Sequence, residues 1–197
     1  ICKNLAKLDL DCFRTRKKFI KGRFIKGKLP KFTIDSIKST NNLGQFSDIN
    51  FDKFEYPDPN AIQIISIGDS YVEAIQVDNS ESFHGLLNQS IYYNDQNNYL
   101  NVSSTAFGSS GYAFPSFLKI YEYLIKDNRY FNDLTIFTVT ANDFDGSYSS
   151  RRISERGSFF FKKDTGNIYF VDYLSNPLIK TRNFFIKNSA LTRYLIF

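Results

Sequence analysis

Three segments of this chain carry side chains and backbone suited to acyl transfer: Gly68-Asp69-Ser70, residues 101–111, and Asn142-Asp143. A serine hydroxyl attacks a carbonyl when a base takes its proton, and the oxygen that becomes negative needs N–H donors aimed at it. Ser70 would supply the nucleophile; backbone amides of the second segment and the Asn142 side chain would supply donors. Seen singly, a serine after a strand is ordinarily a helix cap and an asparagine a turn residue. Two other readings fall short. Asn142-Asp-Phe-Asp-Gly146 lacks the remaining ligands and the distant Glu of a calcium loop. Gly108-Ser-Ser-Gly111 lacks the lysine of a phosphate loop, and Gly68 lacks the partners of a dinucleotide motif. Neither a metal nor a cofactor is expected.

These segments need elements that bring them together. Residues 61–68 (AIQIISIG) follow the breaker-rich Tyr56-Pro-Asp-Pro-Asn60 and predict a buried parallel strand. Residues 99–104 and 134–141 predict two more strands, and residues 82–91 and 112–125 predict helices between them. Residues 158–161 and 168–173, joined through Asp164-Thr-Gly-Asn167, predict a β-hairpin, and residues 188–197 a helix. Alternation of strand and helix implies an α/β fold with right-handed crossovers onto a parallel sheet, and such sheets hold their sites at the carboxyl ends of the strands. The three chemical segments then become neighbouring turns at one sheet edge.

Here the chain resembles the SGNH (GDSL-like) hydrolases. Their Gly-Asp-Ser after an apolar strand stands as Ile64-Ile-Ser-Ile-Gly-Asp-Ser70, and their Gly-x-Asn-Asp stands as Thr140-Ala-Asn-Asp143. Their Asn followed five residues later by Gly stands as Asn101-Val-Ser-Ser-Thr-Ala106, with Ala in the place of Gly. Asn41-Asn-Leu-Gly44 looks like the lead-in of many bacterial members. The resemblance covers about residues 41–197. It implies a three-layer α/β/α sandwich with a flavodoxin-like parallel sheet. Ser70 becomes the nucleophile, and the oxyanion hole is built from the Ser70 N–H, the Ala106 N–H and the Asn142 amide. Gly108 replaces Ala106 if the register is shifted. Gly68, Asp69 and Asp143 have structural parts. The implied activity is hydrolysis of acyl or acetyl esters of carbohydrate or lipid type through an acyl-enzyme. The same residues also suit an O-acyltransferase, and an SGNH-like module that binds glycan or a partner without catalysis is the alternative.

The family's Asp-x-x-His, which supplies base and orienting acid, does not occur in the 197 residues. The one histidine, His84, falls in the helix leaving the nucleophile turn and is expected to pack or face solvent. The catalytic His and Asp are therefore expected beyond residue 197, the sheet completed there, and this piece alone nearly inactive. Charge is uneven as well. Residues 1–40 hold twelve lysines and arginines against three aspartates, a net +9; the chain carries +5, so the remainder carries −4. That basic N-terminal flank, with Phe19-Ile-Lys-Gly22 echoed in Phe24-Ile-Lys-Gly27, is expected to be a solvated arm meeting an upstream segment or a membrane. No nucleic-acid motif accompanies it. The two cysteines, Cys2 and Cys12, make no disulfide framework and are expected to be free or incidental. Acylated polysaccharide or lipid as substrate points to the cell envelope.

Overall fold

A computed structural model of the protein describes residues 10–13, 15–28, 31–93, 99–127, 129–148 and 158–171. The helix expected over residues 188–197 lies outside them. A parallel sheet stands at the centre. Strand β3 (Ala61–Gly68) lies between β5 (Tyr99–Gly108) and β6 (Leu134–Thr138), both parallel to it. A short β4 (Ile91–Tyr93) pairs antiparallel with the start of β5 and closes that edge. The expected α/β class and its three parallel strands are thus present, with helices packed on the sheet.

The two faces of the sheet differ in kind. Side chains alternate along a strand, and in this register Ile65, Ile67, Thr105 and Phe107 share one face. Ile65, Ile67 and Phe107 are fully buried there with Phe51, Phe54, Phe117, Ile120 and Leu124. Phe107 meets the rings of Phe13 and Phe51 at centroid distances of 5.6 and 6.4 Å. With tryptophan and methionine absent, phenylalanine supplies most of the bulk. The opposite face carries Ser66, Ser104, Ala106 and Gly108, and small side chains let α1 (Ser70–Glu73) and α2 (Phe83–Leu87) approach closely.

Helix α2 is shorter than the expected 82–91 because its end is diverted to the sheet. Asn88 pairs with β5 as a strand would, giving Nδ2 to the Ser104 carbonyl at 2.8 Å and accepting the Ser104 N–H at 2.5 Å, and Ile91 then enters β4. Strand β5 runs past the expected 104 to Gly108, since its serines and threonine are buried against β3 rather than turning. Helix α3 (Phe114–Tyr121), with Pro115 in its first turn, continues as a π-helical turn over Glu122–Lys126. Strand β6 stops at Thr138, and α4 (Ala141–Ser147) takes up the Asn142–Gly146 residues, in helical rather than calcium-loop form. The expected hairpin is present as β7 (Ser158–Phe161) and β8 (Ile168–Val171).

The basic flank departs most from expectation. Within it, β1 (Lys21–Lys28) and β2 (Lys31–Ser39) pair as antiparallel strands. Its outward face carries an exposed Arg23–Asp35 pair with both bonds at 2.6 Å. Its inward face seals to the domain, burying Ser36 and Lys38. Cys12 is disulfide-bonded, correcting the expectation of a free or incidental thiol; Cys2 lies outside the described residues.

Candidate functional site

The register fixes which backbone reaches the carboxyl edge. Gly68 stands opposite Gly108 on one side and Thr138 on the other, so three strands end level. The turns that follow carry Ser70, residues 109–112 and Thr140 to Asp143. Asn101 is not among them. It pairs with Ala61 at the other end of β3, roughly 23 Å away at 3.3 Å per residue.

Ser70 opens α1 and is half-buried. Asp69 caps the helix, its Oδ1 accepting the Tyr71 N–H at 3.0 Å, while the Ser70 hydroxyl reaches Asp69 Oδ2 only at 3.4 Å. Glu73 and Ala74 give their N–H groups to the Asp69 and Ser70 carbonyls. The Ser70 N–H has no partner among the described residues. The helix ends at once, because Ala74 takes a left-handed φ of 47°. Side chains of β2 hold that conformation: Lys38 Nζ donates to the Ala74 carbonyl at 2.7 Å and Ser36 Oγ to the Ile75 carbonyl at 2.9 Å. Burial pulls the Lys38 ammonium down to about 8 against the attraction of Asp78 and Asp48.

Both strand-end glycines are required by close approach. A Cβ on Gly68 would stand 2.5 Å from Val72 Cγ2, and one on Gly108 would stand 2.8 Å from Val72 Cβ and 3.0 Å from the Glu73 nitrogen. The β5 edge and the helix bearing Ser70 therefore touch through backbone. In the turn that follows, Ser109 N–H points to the Gly68 carbonyl at 3.4 Å, Ser110 N–H to Glu73 Oε2 at 2.6 Å, and Tyr112 N–H to the Ser109 carbonyl at 3.0 Å. Gly111, exposed and at a φ of 84°, has an N–H without a partner among the described residues.

The two residues expected as alternatives for the second donor, Ala106 and Gly108, stand at different depths in β5. Ala106 lies inside β5 opposite Ser66 and is 1% exposed, two residues short of the edge; Gly108 is at the edge. Asn142 is exposed on the first turn of α4. Its Oδ1 accepts the Thr140 hydroxyl at 2.9 Å and its Nδ2 reaches Asp143 Oδ1 at 3.4 Å. Asp143 is buried, its Oδ2 accepting the Thr140 N–H at 2.7 Å and the Thr140 hydroxyl at 3.1 Å. Burial, with the Asp69 charge adding to it, raises the Asp143 pKa from its ordinary value, against the lowering effect of the Thr140 N–H bond.

His84 packs, and does so inside rather than at the surface. It is 1% exposed, its Nε2 lies 3.1 Å from Ser82 Oγ, and burial, reinforced by Lys38, lowers its pKa to about 4. Sequence reading missed Glu73, 4% exposed, which pairs with Arg16 and takes both the N–H and the hydroxyl of Ser110. Spacing from Ser70 on the same short helix was the available signal; Arg16 stood hidden in a run of basic residues. Among the described residues no three His, Cys, Asp or Glu side chains cluster as a metal site, and no helix is long and apolar enough to cross a membrane. An open hollow of about 300 Å³, lined by Glu55, Pro57, Ile125, Tyr130, Phe131 and Asn132, adjoins the residues that lead into β3 and β6, away from Ser70. Compared with models of protein families, with curated proteins and with solved structures, the chain matches none.

Proposed function

We propose that the protein is a serine ester hydrolase of the SGNH type in which Ser70 attacks the acyl carbon. The observation that carries this reading is the level ending of β3, β5 and β6, which sets a half-exposed hydroxyl beside a turn containing an uncommitted N–H. Strand order β5-β3-β6 is also the order in which a flavodoxin-like sheet begins. Ser70 Oγ bonds to the acyl carbon and the carbonyl π pair moves onto oxygen. The Ser70 N–H and the N–H of Gly108 or Gly111 would stabilise that oxyanion, with the Asn142 amide joining by rotation of an exposed side chain. Collapse expels the alcohol, which leaves with the proton taken from Ser70; water or a sugar hydroxyl then releases the acyl group. The base that carries this proton is not His84, whose imidazole is buried against Ser82.

Ester substrates of acylated polysaccharide or lipid, handled in the cell envelope, fit this chemistry. A disulfide at Cys12 supports an oxidising compartment. Reaction of the full-length gene product with a fluorophosphonate tests the reading. The expected result is a covalent adduct on the peptide containing Ser70 that is absent from Ser70→Ala. A protein that stays unmodified, or an adduct on another residue, rejects it and favours the module that binds without catalysis.

A further inference from the structure

The leading basic segment reaches the site through one side chain. Arg16, whose N–H bonds the Gly44 carbonyl at 2.9 Å and whose guanidinium lies 4.0 Å over the Phe46 ring, pairs with Glu73 Oε1. Glu73 sits three residues after Ser70 on α1, and its Oε2 takes the Ser110 N–H at 2.6 Å and the Ser110 hydroxyl as well. Its carboxylate is nearly sealed from water, the side chain 3% exposed, and Arg16 is 28% exposed. A guanidinium on one oxygen and two donors on the other surround this buried carboxylate.

From this geometry we infer that Glu73, held by Arg16, is a positioning residue for the oxyanion turn. It commits the Ser110 N–H and hydroxyl to the helix bearing Ser70 and so fixes residues 109–111 over that helix. The Gly111 N–H is left as the donor offered to substrate. The Gly108 contact with Val72 and the Glu73 nitrogen sets the distance between the two parts, and the carboxylate sets their orientation. This inference rests on the reading of Ser70 as nucleophile, and two readouts keep the two apart.

Amide hydrogen exchange at Ser110 judges the clamp in wild type, Glu73→Ala, Glu73→Gln and Arg16→Lys, with the Phe117 and Ile120 amides confirming that each variant is folded. Loss of a charge-assisted bond should speed Ser110 exchange by roughly tenfold or more in Glu73→Ala. Glu73→Gln, which still accepts from Ser110, should recover much of the protection. Fluorophosphonate labelling of Ser70 should slow by a similar factor in Glu73→Ala and recover in Glu73→Gln. Ser110 protection unchanged in Glu73→Ala overturns the clamp. Protection lost while labelling keeps its wild-type rate overturns the positioning role. A wild type that never labels strikes the proposed esterase instead, and Ser110 exchange still decides whether Glu73 orders the turn.

Discussion

The two faces of the central sheet are built from different physics. One is packed with Phe51, Phe54, Phe107, Phe117 and, from β3, Ile65 and Ile67, all without exposed surface. The other is thin, with serine, alanine and glycine on the strands, and is held by Asn88, Lys38, Arg16 and Glu73 through directed bonds. Aromatic burial is large and nondirectional, so it supplies stability and little positional detail. Directed bonds to partly or fully buried charges contribute modest net stability but allow few geometries. The candidate site lies where the thin face meets the strand ends.

Damage to each face should therefore read out differently. Phe107→Ala should cost about 3–5 kcal/mol of stability, the usual range for an aromatic lost from a packed core. Urea unfolding measures that loss, while Ser110 exchange in the folded protein should stay near wild type. A collapse of Ser110 protection along with stability would erase the distinction between the faces.

His84 links the thin face to pH. Its folded pKa of about 4 lies below the ordinary 6.5, so the unfolded chain binds more protons between those values. The stability it contributes is full above pH 6.5 and falls away as pH drops towards 4, by up to about 3 kcal/mol. His84→Asn should flatten that stretch of the stability profile relative to wild type, as unfolding at pH 7, 5.5 and 4.5 would reveal.

Breaking the Arg16–Glu73 pair by Glu73→Ala should cost about 2–3 kcal/mol, less than a fully buried pair because Arg16 keeps some solvent. The exposed pair on the outer side of the hairpin makes the opposite control. Arg23→Gln should leave the unfolding midpoint where it is, since a solvated ion pair is screened. A large effect there would mean that the hairpin is held from its outer face.

Sequence patterning made the packed face legible and the thin face hard to read. The Ile-rich run of β3 and the helical spacing of Phe117, Ile120 and Leu124 announce themselves, because burial demands apolar residues at fixed periods. Ser70, Asp69 and Asp143 were legible as a motif, and Gly108 as the alternative donor. Ser103, Ser104 and Thr105 look like turn residues, yet they continue a strand whose neighbours need small side chains. Strand β5 thus runs on by four residues, which leaves Ala106 inside the strand and Gly108 at its end. Arg16 and Glu73 are 57 positions apart, and no local rule pairs them; the turn at Gly44 and the hairpin bring them together.

The most direct test of the site is the position of one oxygen in a crystal structure of the phosphonylated protein. With Ser70 as nucleophile and the strand-end turn as oxyanion hole, the phosphonyl oxygen lies about 2.7–3.1 Å from the Ser70 N–H and from a backbone N–H of the Gly108–Gly111 turn. An oxygen directed to solvent, with no backbone donor in reach, would contradict it.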